Sequence, residues 1–215
     1  MIPRSFARAC LAPLALAGLA ACTSVLAPIL KPDVSTEVVN MEGGDWQLDP
    51  AHAALTFKID HLGYSTYVGR FERFDVQLSG EPDAPAEARV EGVVDMTSLD
   101  IANDDFADTL MGSDWFSATN FPEARFQSTR ILITGPVTAD VEGILTLRGQ
   151  NAPIILSVTF NGAGFDRLRN AQVAGFSATT DLDRTVFGID RFSGLLTDKV
   201  HVEIEAELLK TSGVT

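Results

Sequence analysis

Cysteine is almost missing from this chain: its 215 residues include only Cys10 and Cys22. No thiol lies beyond position 22, so the rest of the chain has no disulfide staple, no thiolate metal site and no cysteine nucleophile. Histidine is nearly as scarce, with His52, His61 and His201. His52 and His61 stand nine residues apart, roughly 30 Å along a straight strand and on opposite faces, too far to share a metal ion. His201 alternates with glutamates and reads as a surface residue. Basic residues are outnumbered 16 to 29, a net charge of −13, which argues against nucleic acid and against electrostatic docking on anionic headgroups. Ser65 and Ser177 have no Gly-x-Ser-x-Gly setting and no local base. The aspartates at 100, 104, 105 and 108, and at 181, 183 and 190, lack the spacing of a calcium loop and read as solvated turns. The apolar run from Ala9 to Ala21 is too short to span a bilayer comfortably.

That run is informative for another reason. Arg4 and Arg8 precede it, and Leu19-Ala20-Ala21-Cys22 ends it, the order of a secretory signal with small residues at the cut site. A signal that ends on cysteine resembles a bacterial lipobox. The resemblance implies that residues 1–21 are removed and that Cys22 is the lipidated N-terminus of the mature chain. Two or more acyl chains give stable anchoring where one is marginal. Thr23, in place of aspartate, favours the outer over the inner membrane. The expected location is therefore the periplasmic side of the cell envelope.

From position 22 to 44 the chain carries Pro28, Pro32, Gly43 and Gly44 without periodicity and reads as a tether. One domain is expected over residues 45–210, with 211–215 as a polar tail. Two-residue alternation dominates it. Leu55, Phe57 and Ile59 alternate with Thr56, Lys58 and Asp60, and Val200, Val202, Ile204, Ala206 and Leu208 alternate with His201, Glu203, Glu205 and Glu207. Less regular strands are expected at 71–78, 88–96, 124–133, 140–147, 153–161 and 172–180, separated by turn sequences such as Gly135-Pro136 and Arg148-Gly149-Gln150-Asn151. The fold class is all-β: an antiparallel barrel or sandwich of about eight strands, with a short helix or ordered loop over 102–115 that Asn103 can cap. A barrel of this size either fills with side chains or holds one small ligand. Phe106, Trp115, Phe116, Phe121, Phe187 and Phe192 flank its connections, where they line a cavity mouth or plug the barrel ends.

Four segments resemble the YceI-like family of lipocalin-like proteins. They are Trp46-Gln47-Leu48-Asp49-Pro50-Ala51-His52 through Gly69-Arg70-Phe71; Asn103-Asp104-Asp105 through Asp114-Trp115-Phe116 and Phe121-Pro122-Glu123-Ala124-Arg125-Phe126; Val141-Glu142-Gly143 through Ala152-Pro153-Ile154; and Phe176-Ser177-Ala178 through Val200-His201-Val202-Glu203-Ile204. The resemblance implies an extended eight-stranded antiparallel lipocalin-like barrel whose apolar channel binds a long isoprenoid lipid, of polyprenyl or quinone type. It implies no catalytic residue, no metal and no cofactor besides that ligand, and it is compatible with a homodimer. One departure is Thr109-Leu110 in place of the family's His-Leu pair.

The expected lining is Leu55, Phe57 and Ile59 from the odd-numbered row, with Trp115, Phe116, Phe121, Phe126, Phe176 and Phe187. His61 shares that parity; it either meets a polar head or is satisfied by backbone in the core. Burial of a lipid tail contributes roughly 25 cal/mol per Å² of apolar area. Two other classes remain: an enzyme acting on isoprenoids, for which Asp49 and Asp95 are the carboxylates to inspect, and a structural envelope lipoprotein with a filled barrel. For the anchor, Cys22→Ala is expected to abolish incorporation of labelled palmitate and to remove the mature protein from the membrane fraction. Retained label with unchanged membrane association contradicts the lipobox.

Overall fold

The computed structural model describes residues 30–211. The signal segment 1–21, Cys22 and the tail from 212 lie outside the described residues. Among the described residues ten strands form one antiparallel sheet: β1 (Gly44–His61), β2 (Ser65–Phe71), β3 (Phe74–Gly80), β4 (Arg89–Asp95), β5 (Leu99–Asp100), β6 (Glu123–Ile133), β7 (Thr138–Leu147), β8 (Gln150–Asp166), β9 (Ala171–Asp183) and β10 (Lys199–Lys210). Their order is β10-β9-β8-β7-β6-β4-β3-β1-β2-β5, and β10 pairs back onto β1. That last pairing closes an eight-stranded barrel. β2 and β3 occupy one position in it, because the first half of β1 pairs with β3 and its second half with β2. Closure removes most of the sheet edge that would otherwise invite aggregation; β2 keeps one, paired on its outer side only at Arg70 and Phe71 by β5.

The expected strands are all present, with two differences. The strand expected at 71–78 is broken between Phe71 and Phe74, and β2 had no clear alternation to reveal it. β1 begins eleven residues before Leu55, hidden because its alternation changes phase. Leu48 faces Leu208 and Ala53 faces Ala206, so 49–52 stand opposite Glu207 alone. This bulge adds an odd number of residues. Before it the even residues Trp46 and Leu48 are buried; after it the odd residues Leu55 and Phe57 are. Pro50 sits within the bulge, where its missing N–H removes no ladder bond. Smaller bulges between Ser128 and Arg130 in β6 and between Phe160 and Gly162 in β8 switch the phase in the same way.

A charged cluster on the outside holds the main bulge. Arg169, from the β8–β9 turn, donates to Asp49 (3.0 Å), Asp166 (2.8 Å) and Glu207 (2.6 Å), and His52 Nδ1 donates to Asp49 Oδ2 at 2.8 Å. The His52 hydrogen bond holds the Asp49 carboxyl below the ordinary carboxylate range; the Ala51 N–H and Arg169 add to it against the opposing effect of burial. Asp166 is lowered by the Arg169 N–H and guanidinium. His52 thus belongs to the bulge, far from His61 at the end of β1.

Helix α1 (Asp104–Met111) crosses the barrel end. Asn103 accepts the Phe106 N–H at 2.9 Å as N-cap, Asp104 and Asp105 favour the positive end of the helix dipole, and Ala107 and Leu110 face the core. At the opposite end, Trp46, Leu48, Phe160, Ala174 and Leu208 form a packed plug. The segment expected to be a tether reaches this plug: Ser35 exchanges both backbone hydrogen bonds with Ala163, and Val38 and Met41 pack below it. Among the described residues no helix is long and apolar enough to cross a membrane.

The lowered carboxyls give a direction for acid stability. The folded chain binds fewer protons than the unfolded one near pH 4, so this stabilisation is complete above the unfolded pKa and is lost as pH falls through the folded values. Asp49→Asn/Asp166→Asn is expected to lower stability at pH 7 and to flatten its dependence between about pH 5 and 2. Urea melts across that range check both effects; a slope equal to that of the parent removes the cluster from the account.

Candidate functional site

The barrel encloses a cavity of about 340 Å³, within the size of pockets that bury small ligands. Every long strand contributes to its wall. From β1 come Leu55, Phe57, Ile59 and His61; from β9, Phe176, Ala178, Thr180 and Leu182; from β10, Val200, Val202, Ile204, Ala206 and Leu208. The barrel is therefore not filled. Glycines make room for two of the wall's rings: a Cβ at Gly143 would collide with the Phe126 ring and the Gln127 carbonyl, and one at Gly69 with the Phe57 ring. The rings pack in series. Phe57 and Phe71 lie 5.8 Å apart, Phe71 and Phe116 5.7 Å at 72°, and Tyr67 and Phe106 6.0 Å edge-to-face, all favourable aromatic geometries.

Nine of the ten expected lining residues are on this wall: Leu55, Phe57, Ile59, His61, Trp115, Phe116, Phe126, Phe176 and Phe187. Phe121 is the correction. It is exposed, and its ring covers Gly149 in the β7–β8 turn, outside the cavity. Phe187 is almost wholly buried and serves as much to plug the end as to line it. Phe192 lies outside, against Trp115. Sequence reasoning missed Tyr67, Phe71 and Arg184 and, apart from Phe176, did not assign the even-numbered rows of β9 and β10 to the wall. The regular alternation of Val200–Leu208 was a sufficient signal for β10; the broken β2 offered none.

The cavity is apolar almost throughout. Among its lining residues, His61 and Phe106 reach solvent where β1 turns into β2, which marks the mouth, opposite the plug of Trp46 and Leu48. His61 and Tyr67 meet there at 6.5 Å, and Thr180 adds a hydroxyl to the wall. The lining carboxylate, Asp75, is engaged by the Gln47 side chain and the Val76 N–H. Asp49 belongs to the outer cluster, and Asp95 caps the turn at Thr97 and holds Arg73. Neither lines the cavity, so the two carboxylates singled out for acid–base chemistry are not in position for it. Among the described residues, no group of three His, Cys, Asp or Glu side chains is arranged to hold a metal ion.

The mouth is held by two arginines. Arg184, buried at 4% exposure, donates to the carbonyls of Thr197 (3.1 Å), Ile189 (2.7 Å) and Arg191 (2.9 Å) and to Asp198 Oδ1 (2.8 Å). One guanidinium thereby folds the whole 184–198 connection. Arg148 ties that connection to the end of α1 by donating to the Gly188 and Ser113 carbonyls.

The architecture and the motifs are shared. Residues 46–208 match the YceI-like domain. The chain belongs to the YceI-like family. Within that family it is 38% identical over 155 residues to a UPF0312 protein of Vibrio cholerae, covering 71% of this chain and 82% of the relative. It is 35% identical over 159 residues to a UPF0312 protein of Pseudomonas putida, covering 74% and 82%. Among solved structures, this YceI-like barrel is similar to BcnA of Burkholderia cenocepacia (TM-score 0.67, 23% identity, 76% of this chain and 99% of that one). It is also similar to the YceI protein of Campylobacter jejuni (TM-score 0.64, 22% identity, 72% and 91%). A polyisoprenoid binding domain from Saccharophagus degradans shares the fold at TM-score 0.57 and 15% identity, over 77% and 98%.

Arg184→Ala leaves three carbonyls and Asp198 without their partner and is expected to cost about 2–4 kcal/mol. Arg184→Lys should recover only part of this, since a point charge cannot replace the fork. Chemical denaturation and hydrogen exchange over 185–198 measure both; exchange unchanged in Arg184→Ala removes its role at the mouth.

Proposed function

We propose that this protein binds and carries a long apolar isoprenoid lipid, of polyprenyl or quinone type, without chemical turnover. The observation that carries the reading is the cavity: an apolar wall drawn from every long strand, with His61 and Tyr67 at its mouth. Its apolar lining offers burial to a hydrocarbon tail, worth roughly 25 cal/mol per Å², and His61 at its mouth can meet a head group or a quinone carbonyl. A fold-mate described as a polyisoprenoid binding domain supports this class of ligand. Neither Asp49 nor Asp95 lines the cavity, which favours carriage over catalysis.

The lipobox ending at Cys22 supports an address on the periplasmic side of the envelope, anchored by acyl chains, with the outer membrane favoured by Thr23. There the cavity is held close to the bilayer in which its ligand dissolves. A monomer suffices for this role, and a homodimer is compatible with it.

Protein purified without detergent exchange should carry an isoprenoid, found by mass spectrometry of organic extracts. Ala178→Trp puts an indole into the middle of the cavity wall and is expected to reduce the bound lipid by at least about tenfold, a loss of some 1.4 kcal/mol of binding, while the far-ultraviolet spectrum stays that of the parent. Empty extracts from both native and lipid-incubated protein refute the proposal.

A further inference from the structure

The mouth of the cavity is ringed by apolar groups that the fold itself does not bury. Leu62 (41% exposed) and Tyr64 (87%) stand on the β1–β2 turn, Phe106 (39%) on α1, and Val186 (54%), Phe192 (51%) and Leu195 (65%) on the 184–198 connection. They are contiguous with the lining: Phe106 packs on Tyr67, Phe192 on Trp115, Leu62 follows His61 and Leu195 precedes Leu196. Two of them are held against their own backbone preference. Leu62 has φ 60° and Phe192 φ 58°, left-handed conformations that Gly and Asn adopt with least strain. Exposed apolar side chains kept at strained positions around a cavity entrance point to a surface met by something apolar.

We infer that this rim is a docking surface for the face of a lipid bilayer of zwitterionic or neutral headgroups, into which Leu62, Tyr64, Phe192 and Leu195 insert so that the mouth opens onto the membrane. The inference rests on the reading of the cavity as a lipid site, since a ligand dissolved in a bilayer enters without crossing water only if the mouth meets the bilayer. Charge selects the occupant further. The rim is bordered by Asp60, Asp104, Asp105 and Asp190, and its Arg191 is engaged by Asp114 at 3.1 Å and lies over the Phe192 ring at 5.0 Å. Anionic headgroups are repelled by such a border, so attachment comes from apolar and aromatic insertion at the interface, where Tyr and Phe are well suited. The closed end also exposes Phe165 and Leu168, but those lie beside the plug, away from the entrance.

The test is vesicle flotation of the mature-length chain, residues 22–215 with Cys22→Ala, so that neither signal nor acyl chains contribute. In lipid excess it should float with phosphatidylcholine vesicles, by a contact reversible enough to be lost when membranes are washed, and less with vesicles containing three parts in ten phosphatidylglycerol. Leu62→Asn/Tyr64→Ser/Leu195→Ser, which leaves every lining residue in place and gives position 62 a residue suited to its φ, should lower partitioning by about tenfold or more, with the parent's thermal midpoint and the parent's lipid content. Equal flotation of parent and variant overturns the inference, as does stronger binding to the anionic vesicles. Absence of flotation, with a dimer in light scattering that the triple variant abolishes, also overturns it and assigns the rim to a second copy. Lipid-free extracts with rim-dependent flotation would remove the cavity reading and leave the docking surface standing; lipid-loaded protein that does not float would do the reverse.

Discussion

Everything in this barrel depends on the seam between β1 and β10. An eight-stranded sheet holds an apolar space only if it closes, and it closes here because β1 is long enough to pair with β10 on one side and with both β3 and β2 on the other. A strand of that length must curve as the barrel twists, and the bulge at 49–52 supplies the curve. Bulging by an odd number of residues would turn the wrong face inward, and the side chains of β1 switch phase to match. The outer cluster of Arg169 with Asp49, Asp166 and Glu207 then fixes the bulge from the wet side, where the charges remain partly hydrated.

The two ends of the barrel are built on different physical principles. The closed end is conventional packing, with Trp46 and Leu208 at 2% exposure and Ala174 at zero. The mouth is organised by hydrogen bonding: Arg184 and Arg148 satisfy the Ile189, Arg191 and Gly188 carbonyls of an irregular connection that has no ladder to supply partners. Such an arrangement holds backbone in place without filling the space beneath it, so the entrance stays ordered while the cavity stays open.

How much of this could be read in advance follows the regularity of each strand. β10 alternates without interruption, and its buried row is legible residue by residue. The helix is legible from Asn103 and from the spacing of Phe106 and Leu110. In β6 and β8 the extra residues Thr129 and Asn161 invert the pattern midway, so existence and extent are readable while the inward face is not. The first half of β1 is lost for the same reason. In the site, parity located Leu55, Phe57, Ile59 and His61, whereas Phe121 failed because an aromatic residue beside a turn has no parity; only tertiary packing on Gly149 decides its place. Arg184 gave no local sign of its role, since its partners are carbonyls and a carboxylate contributed up to fourteen residues later in the chain.

The docking of Ser35 onto Ala163 places the chain's entry into the domain at the plugged end, the far pole from the mouth. A pull on the preceding chain is therefore delivered to the sealed base, through the paired backbones of Ser35 and Ala163, and not to the opening that Arg184 braces.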